Sequence, residues 1–190
     1  MIRPDALESV LAALGGALAE RGFAFEIAII GGSDMLLQGF IKRPTKDVDV
    51  VAVVIDGDLR SPKPLPAELV TAARDVGRAY GLGDGWLNAG PSDLFDFGLP
   101  DGFFGRCETH TYRGLTVHAA GRYDLIALKL FASTDVLRMD IDDLRAMSPT
   151  PDELLEVAVW VLAHKLRRFR FDVVFLLEQL GVDDAEHRVP

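Results

Sequence analysis

Residues Gly31–Val51 read GGSDMLLQGFIKRPTKDVDVV, and the reading of the whole chain turns on them. They follow an apolar run, Phe25–Ile30, that reads as a buried strand. They end in a second strand carrying Asp47 and Asp49 two positions apart. Side chains alternate faces along a strand, so the two carboxylates emerge on one side, about 7 Å apart along the chain. Aspartate is disfavoured inside strands, and two on one face repel each other unless a cation neutralises them. Val48, Val50 and Val51 supply the apolar filling of a central strand, which argues against a merely solvated acidic edge. Upstream, Gly31 and Gly32 lack Cβ atoms, so backbone there approaches an anion closely. Ser33 has a hydroxyl to cap the next helix or to donate to a phosphate. Two acids on one face, after a glycine turn, point to a single site for a divalent ion and a phosphate chain. Magnesium suits such a pair, because it takes oxygen ligands from one or two carboxylates plus substrate phosphates.

Around this stretch the organisation is that of an α/β (α+β) protein. Leu7, Val10, Leu11, Leu14 and Leu18 predict an amphipathic helix over 5–21, and 34–38 a short one closed by Gly39. The acidic strand is expected over 47–55, a loop over 57–66 and a helix over 67–80. Residues 81–105 read as a long glycine- and aromatic-rich loop, of the kind that is either functional or disordered. Trp86 in it is a candidate for stacking a base, against the plainer reading of core packing. Two strands, 106–111 and 115–119, follow around a turn at Arg113-Gly114. The remainder is helical, with Thr150-Pro151-Asp152-Glu153 as a capping box with proline in the first turn. The expected architecture is a mixed central sheet flanked by helices over 1–120, with a helical region over 121–190 packed on it as one compact unit.

Composition narrows the function. The 190 residues have no apolar run near the ~20 residues of a membrane helix. The opening residues do not read as a signal peptide. The lone cysteine, Cys107, excludes an internal disulfide and a multi-cysteine zinc site, so a reducing cytoplasm is the expected location. A net charge of −9 argues against diffuse binding to nucleic acid. The only dense basic run, Lys165-Leu166-Arg167-Arg168-Phe169-Arg170, is either a helix C-terminus or a patch for a nucleic-acid acceptor.

Gly32-Ser33, followed by Arg43-x-Thr45-x-Asp47-x-Asp49, resembles the signature of the nucleotidyltransferase superfamily, the polymerase-β-like fold, and most closely its AbiEii-like and related minimal members. Leu128-Lys129-Leu130-Phe131-Ala132 with Arg138-x-Asp140-x-x-Asp143-Leu144 is similar to a second segment of that group, and Trp86-Leu87-Asn88 to a third. The resemblance implies a nucleoside triphosphate over Gly31-Gly32-Ser33, with Arg43 and Thr45 beside it. It implies Mg2+ on Asp47 and Asp49, two ions about 3.5–4 Å apart serving an in-line displacement at the α-phosphate. It makes Lys129 a triphosphate contact and Asp140 or Asp143 a supporting acid or base near the acceptor. The implied reaction moves an NMP group from an NTP to an acceptor (RNA such as tRNA, protein or a small hydroxylated molecule) and releases pyrophosphate. AbiEii-like members often act as toxins, which implies an antitoxin partner.

One departure bears on activity. Superfamily enzymes usually carry a third carboxylate on a later strand, and here that strand, Leu115-Thr116-Val117-His118, has none. Glu108 on the preceding strand is a substitute, and His118 is another occupant of the position. A non-catalytic nucleotide- or partner-binding protein of the same fold is therefore the alternative expectation, and a metal-dependent phosphohydrolase a further one.

Overall fold

The computed structural model describes residues 1–134, 139–164 and 169–189, with the side chains of Met139 and Asp140 outside the description. It divides into two compact units, Met1–Gly121 and Arg122–Pro190.

The first unit is built around a six-stranded mixed sheet among the described residues. Helix α1 (Leu7–Glu20) buries Leu7, Val10, Leu11, Leu14 and Leu18, the stripe that its spacing requires. It leads into β1 (Phe25–Ile30), whose last four residues are buried. The chain then forms α2 (Gly31–Leu37), β2 (Val48–Ile55), β3 (Asp58–Arg60) and α3 (Ala67–Ala79). β4 (Leu87–Asn88), α4 (Ser92–Phe97), α5 (Phe103–Arg106), β5 (Glu108–Tyr112) and β6 (Leu115–Ala119) complete it. The strand order is β3-β2-β1-β6-β5, with β4 also paired to β2. β1 runs antiparallel to β2 and parallel to β6. It is therefore the spine of the sheet, and its six apolar-rich residues fit that place.

Two differences from the sequence reading matter. The segment expected to be a loop after Gly57 begins with β3, a hairpin partner of β2. The long loop is also more structured than its glycine content implies, because Trp86 anchors it. The indole is 3% exposed, and its Nε1 donates to the Ala73 carbonyl of α3 at 2.7 Å. A Cβ on Gly77 would stand 2.8 Å from the indole Cδ1, so α3 is glycine where the ring lies against it. Trp86 is thus a core residue. Its carbonyl accepts the Val48 N–H at 2.6 Å, which brings Leu87-Asn88 into register beside β2.

The second unit is helical: α6 (Arg122–Ser133), α7 (Met139–Met147), α8 (Pro151–His164), α9 (Arg170–Gln179) and the short α10 (Ala185–Arg188). The expected capping box is present. Thr150 N–H donates to Glu153 Oε2 at 2.8 Å, and Glu153 N–H to Thr150 Oγ1 at 3.2 Å. The same carboxylate takes a bidentate pair of bonds from Arg122 at the start of α6. Arg122 also donates to the carbonyls of Met147 and Ser148, so one guanidinium ties together α6, the end of α7 and the start of α8.

Arg122, and then the Thr150 N–H, hold the Glu153 carboxyl down from an ordinary 4.5 to about 2. A depressed carboxyl adds stability that is complete above the unfolded pKa and lost as pH falls through the folded one. The pair is about one third exposed, so solvent screens it and the effect is modest. Urea unfolding of Glu153→Gln is expected to show a stability deficit above pH 4.5 that closes as pH falls toward 2. A deficit that stays constant across that range would mean that the ion pair contributes nothing.

Candidate active site at the Gly31–Asp49 junction

The site residues of the first unit converge on the first turns of β2. Asp47 directly precedes the strand and Asp49 is its second residue, both half-buried. In register, Asp49 lies opposite Ile30 of β1 on one side and Asn88 of β4 on the other. It therefore stands inside the sheet, at the point where β1 gives way to α2.

Gly31 is the residue that makes this possible. Its φ is +80°, a conformation that side chains resist. A Cβ there would lie 3.0 Å from Asp49 Oδ2 and 3.8 Å from its Cγ, so the carboxylate rests against the glycine Cα. Gly32 has a similar reason: a Cβ would stand 2.9 Å from Thr45 Oγ1. Helix α2 begins at Gly31 itself and not at Asp34 as expected, with Ile30 as its N-cap and no capping side chain. The glycines are thus the first helical turn, laid against the acidic strand.

Thr45 is 5% exposed. Its backbone N–H and C=O are both paired with Ile2, and its hydroxyl donates to the Asp47 carbonyl at 3.2 Å. It fixes the approach of the chain to Asp47. Arg43 and Lys46 are exposed on the same approach. Ser33 is fully buried, with its Oγ lacking a hydrogen-bond partner among the described residues.

Asp34 is a residue that the sequence reading passed over. It is fully buried, its Oδ2 accepts the Ala120 N–H at 2.8 Å, and its Oδ1 accepts from Gln38. Gln38 Nε2 donates in turn to the Ala120 carbonyl. This polar latch joins α2 to the end of β6. The only sequence hint is the Asp34/Gln38 spacing of one helical turn.

Register settles the question of the substitute acid. Glu108 pairs with Ala119, and Ala119 with Ile29, so Glu108 lies on the opposite face from Ile30 and Asp49. It cannot serve as the third carboxylate, and that expectation is corrected. His118 pairs with Ala28 and does share the face of Asp49. Its ring is occupied by Glu26 (3.0 Å) and Thr109 (3.2 Å), with the Phe104 ring edge-on at 5.0 Å. The ladder between β1 and β6 ends at Ile29 and Ala119, and the N–H of the next residue, Ala120, donates to the Ile29 carbonyl at 3.3 Å.

Lys129 and Asp143 belong to the second unit, where they pair with each other at 2.8 Å between α6 and α7. Their side chains are 15% and 4% exposed. Each offsets the other's charge in a nearly dry setting, where losing one partner is costly. The side chain of Asp140, Arg138, and Lys165, Leu166, Arg167 and Arg168 of the basic run lie outside the described residues.

Does the junction suit magnesium? Its donors are two carboxylates, all oxygen, with one seated in a glycine cradle that a Cβ would fill. Among the described residues no group of three or more His, Cys, Asp or Glu is placed to hold a metal. The pair fits an ion that brings further oxygen ligands with it from phosphate and water, not a metal caged by protein alone.

Gly31→Ala adds both a strained φ and a clash with Asp49, and a loss of about 1–3 kcal/mol is expected in chemical unfolding. Unchanged stability would show that the close approach of α2 to β2 is not enforced.

Comparison with curated proteins and with solved structures returned no match. Among the described residues no helix is long and apolar enough to cross a membrane. A family model described as nucleotidyltransferase of unknown function (DUF6036) matches residues 6–150, a span that includes the glycine turn, both aspartates and β4. The match does not distinguish the AbiEii-like group. The mixed sheet with its flanking helices and the acid pair beside a glycine turn agree with that assignment, and the chain belongs to this nucleotidyltransferase family.

Proposed function

We propose that the protein transfers a nucleoside monophosphate from an NTP to an acceptor in a magnesium-dependent reaction that releases pyrophosphate. The observation that carries this reading is the seating of Asp49 against the Cα of Gly31. It sets the acidic strand beside a turn whose backbone has no Cβ to keep a phosphate away. Asp47 and Asp49 would hold the ion. Gly31 and Gly32 would floor the phosphate site, with Thr45 fixing its wall and Arg43 adding positive charge at its rim. The ion would supply charge neutralisation at the α-phosphate when bound. The protein's own part is to position the carboxylates and to keep the floor flat. Lys129, Asp140 and Asp143 stay in the proposal only through resemblance, as a phosphate contact and supporting acids. The acceptor class (RNA, protein or small hydroxylated molecule) and a toxin role with an antitoxin partner also rest on resemblance alone.

One observation favours a second reading. Glu108 is on the opposite face, and no third acid joins the pair among the described residues. A protein that binds a nucleotide without turning it over would look like this.

Incubation with α-labelled NTPs, magnesium and total cellular RNA and protein separates the readings. Transfer of label to one fraction is expected, with Asp49→Asn reducing it at least about a hundredfold, since metal stabilisation of the transition state is worth several kcal/mol. Label left in NTP, together with thermal stabilisation that needs both NTP and magnesium, would favour the binding protein. Wild-type transfer by Asp49→Asn would remove the metal assignment.

A further inference from the structure

Next to Asp49 stands a side chain with no part in the site so far. β4 places Asn88 level with Asp49 in parallel register, so both side chains emerge on one face from strands about 5 Å apart. Asn88 Oδ1 accepts the Gly90 N–H at 2.6 Å, closing an Asx turn. An N–H donates to that atom, so it must be the amide oxygen, and the nitrogen occupies the other position. Asn88 is half-buried, and among the described residues its Nδ2 has no hydrogen-bond partner. The turn also bends toward the carboxylate: a Cβ on Gly90 would lie 2.7 Å from Asn88 Oδ1 and 4.0 Å from Asp49 Oδ1. Two amide N–H donors are thus held by a closed turn, beside the acid and open to solvent.

We infer that Asn88 positions the nucleotide, its Nδ2 donating to an oxygen of the NTP whose metal is held by Asp49. The acceptor is a phosphate oxygen or a ribose hydroxyl. This inference rests on the proposed nucleotide-binding reading. It gives the turn a purpose: with Oδ1 tied to Gly90, the amide plane is fixed and the donors are preset, so little rotamer freedom is lost on binding.

The test separates this role from a purely structural turn. Asn88→Asp keeps an oxygen for the Gly90 N–H and loses the donors. Asn88→Ser keeps a shorter, neutral oxygen acceptor and loses their reach. Calorimetric titration with magnesium and the α,β-methylene analogues of the four nucleoside triphosphates is the readout, beside thermal melting of each variant. Both variants are expected to melt with the wild type and to bind the preferred analogue about tenfold more weakly, the worth of one hydrogen bond to a charged ligand. Tripolyphosphate in place of the analogue assigns the acceptor: an equal loss means a phosphate oxygen, and no loss means the ribose. Wild-type nucleotide affinity in Asn88→Ser would overturn the inference and leave Asn88 as a turn residue. Wild-type protein that binds none of the analogues would instead overturn the underlying reading, and the inference with it.

Discussion

The close approach of the Gly31 backbone to the Asp49 carboxylate is the constraint on which the first unit depends. A strand interior is a poor place for an acid. It is tolerated here because β1 ends one residue before a glycine that turns at φ +80° and leaves room for the oxygen. A side chain at that point would be strained by the φ and would press the Asp49 carboxylate back. The two motifs that look separate in sequence, glycine turn and acid pair, are therefore one structural solution.

Other contacts serve to hold that junction. Asp34 and Gln38 fasten α2 to Ala120, at the end of β6. Ile2 locks both backbone groups of Thr45 in the segment before Asp47. Trp86, buried under α3 and bonded to Ala73, brings β4 alongside β2. Buried polar groups need partners, and these choose partners that span elements. The result is a pair of half-buried aspartates whose backbone is fixed from three directions.

The sequence made β1 and β2 legible, because they carry runs rich in isoleucine and valine whose length leaves little choice. It made the capping box legible for the same kind of reason: Thr150, Pro151 and Glu153 satisfy one local geometry. What it hid depends on long-range pairing. β4 is two residues long and exists only because Trp86 is anchored by Ala73, thirteen residues earlier. The face on which Glu108 lies is decided by the register of two ladders, not by its place in the chain. Lys129 and Asp143 read as site residues by resemblance, and their mutual pairing is visible only once α6 and α7 are side by side. Asp34 sits in plain view within the glycine segment, yet its partner is an alanine backbone far along the chain.

Family membership gives the fold, while function has to be argued from the site. Here no third acid joins Asp47 and Asp49 among the described residues. A magnesium ion on these two acids, as proposed, would depend on its ligand to complete its coordination. The most direct measurement is a crystal structure of the protein with manganese, standing in for magnesium, and a non-hydrolysable NTP analogue. An anomalous peak ligated by Asp47, Asp49 and phosphate oxygens, with the triphosphate over Gly31 and Gly32, is the expected result. A nucleotide bound with no metal on either aspartate, or a metal seated away from the glycine turn, would contradict it.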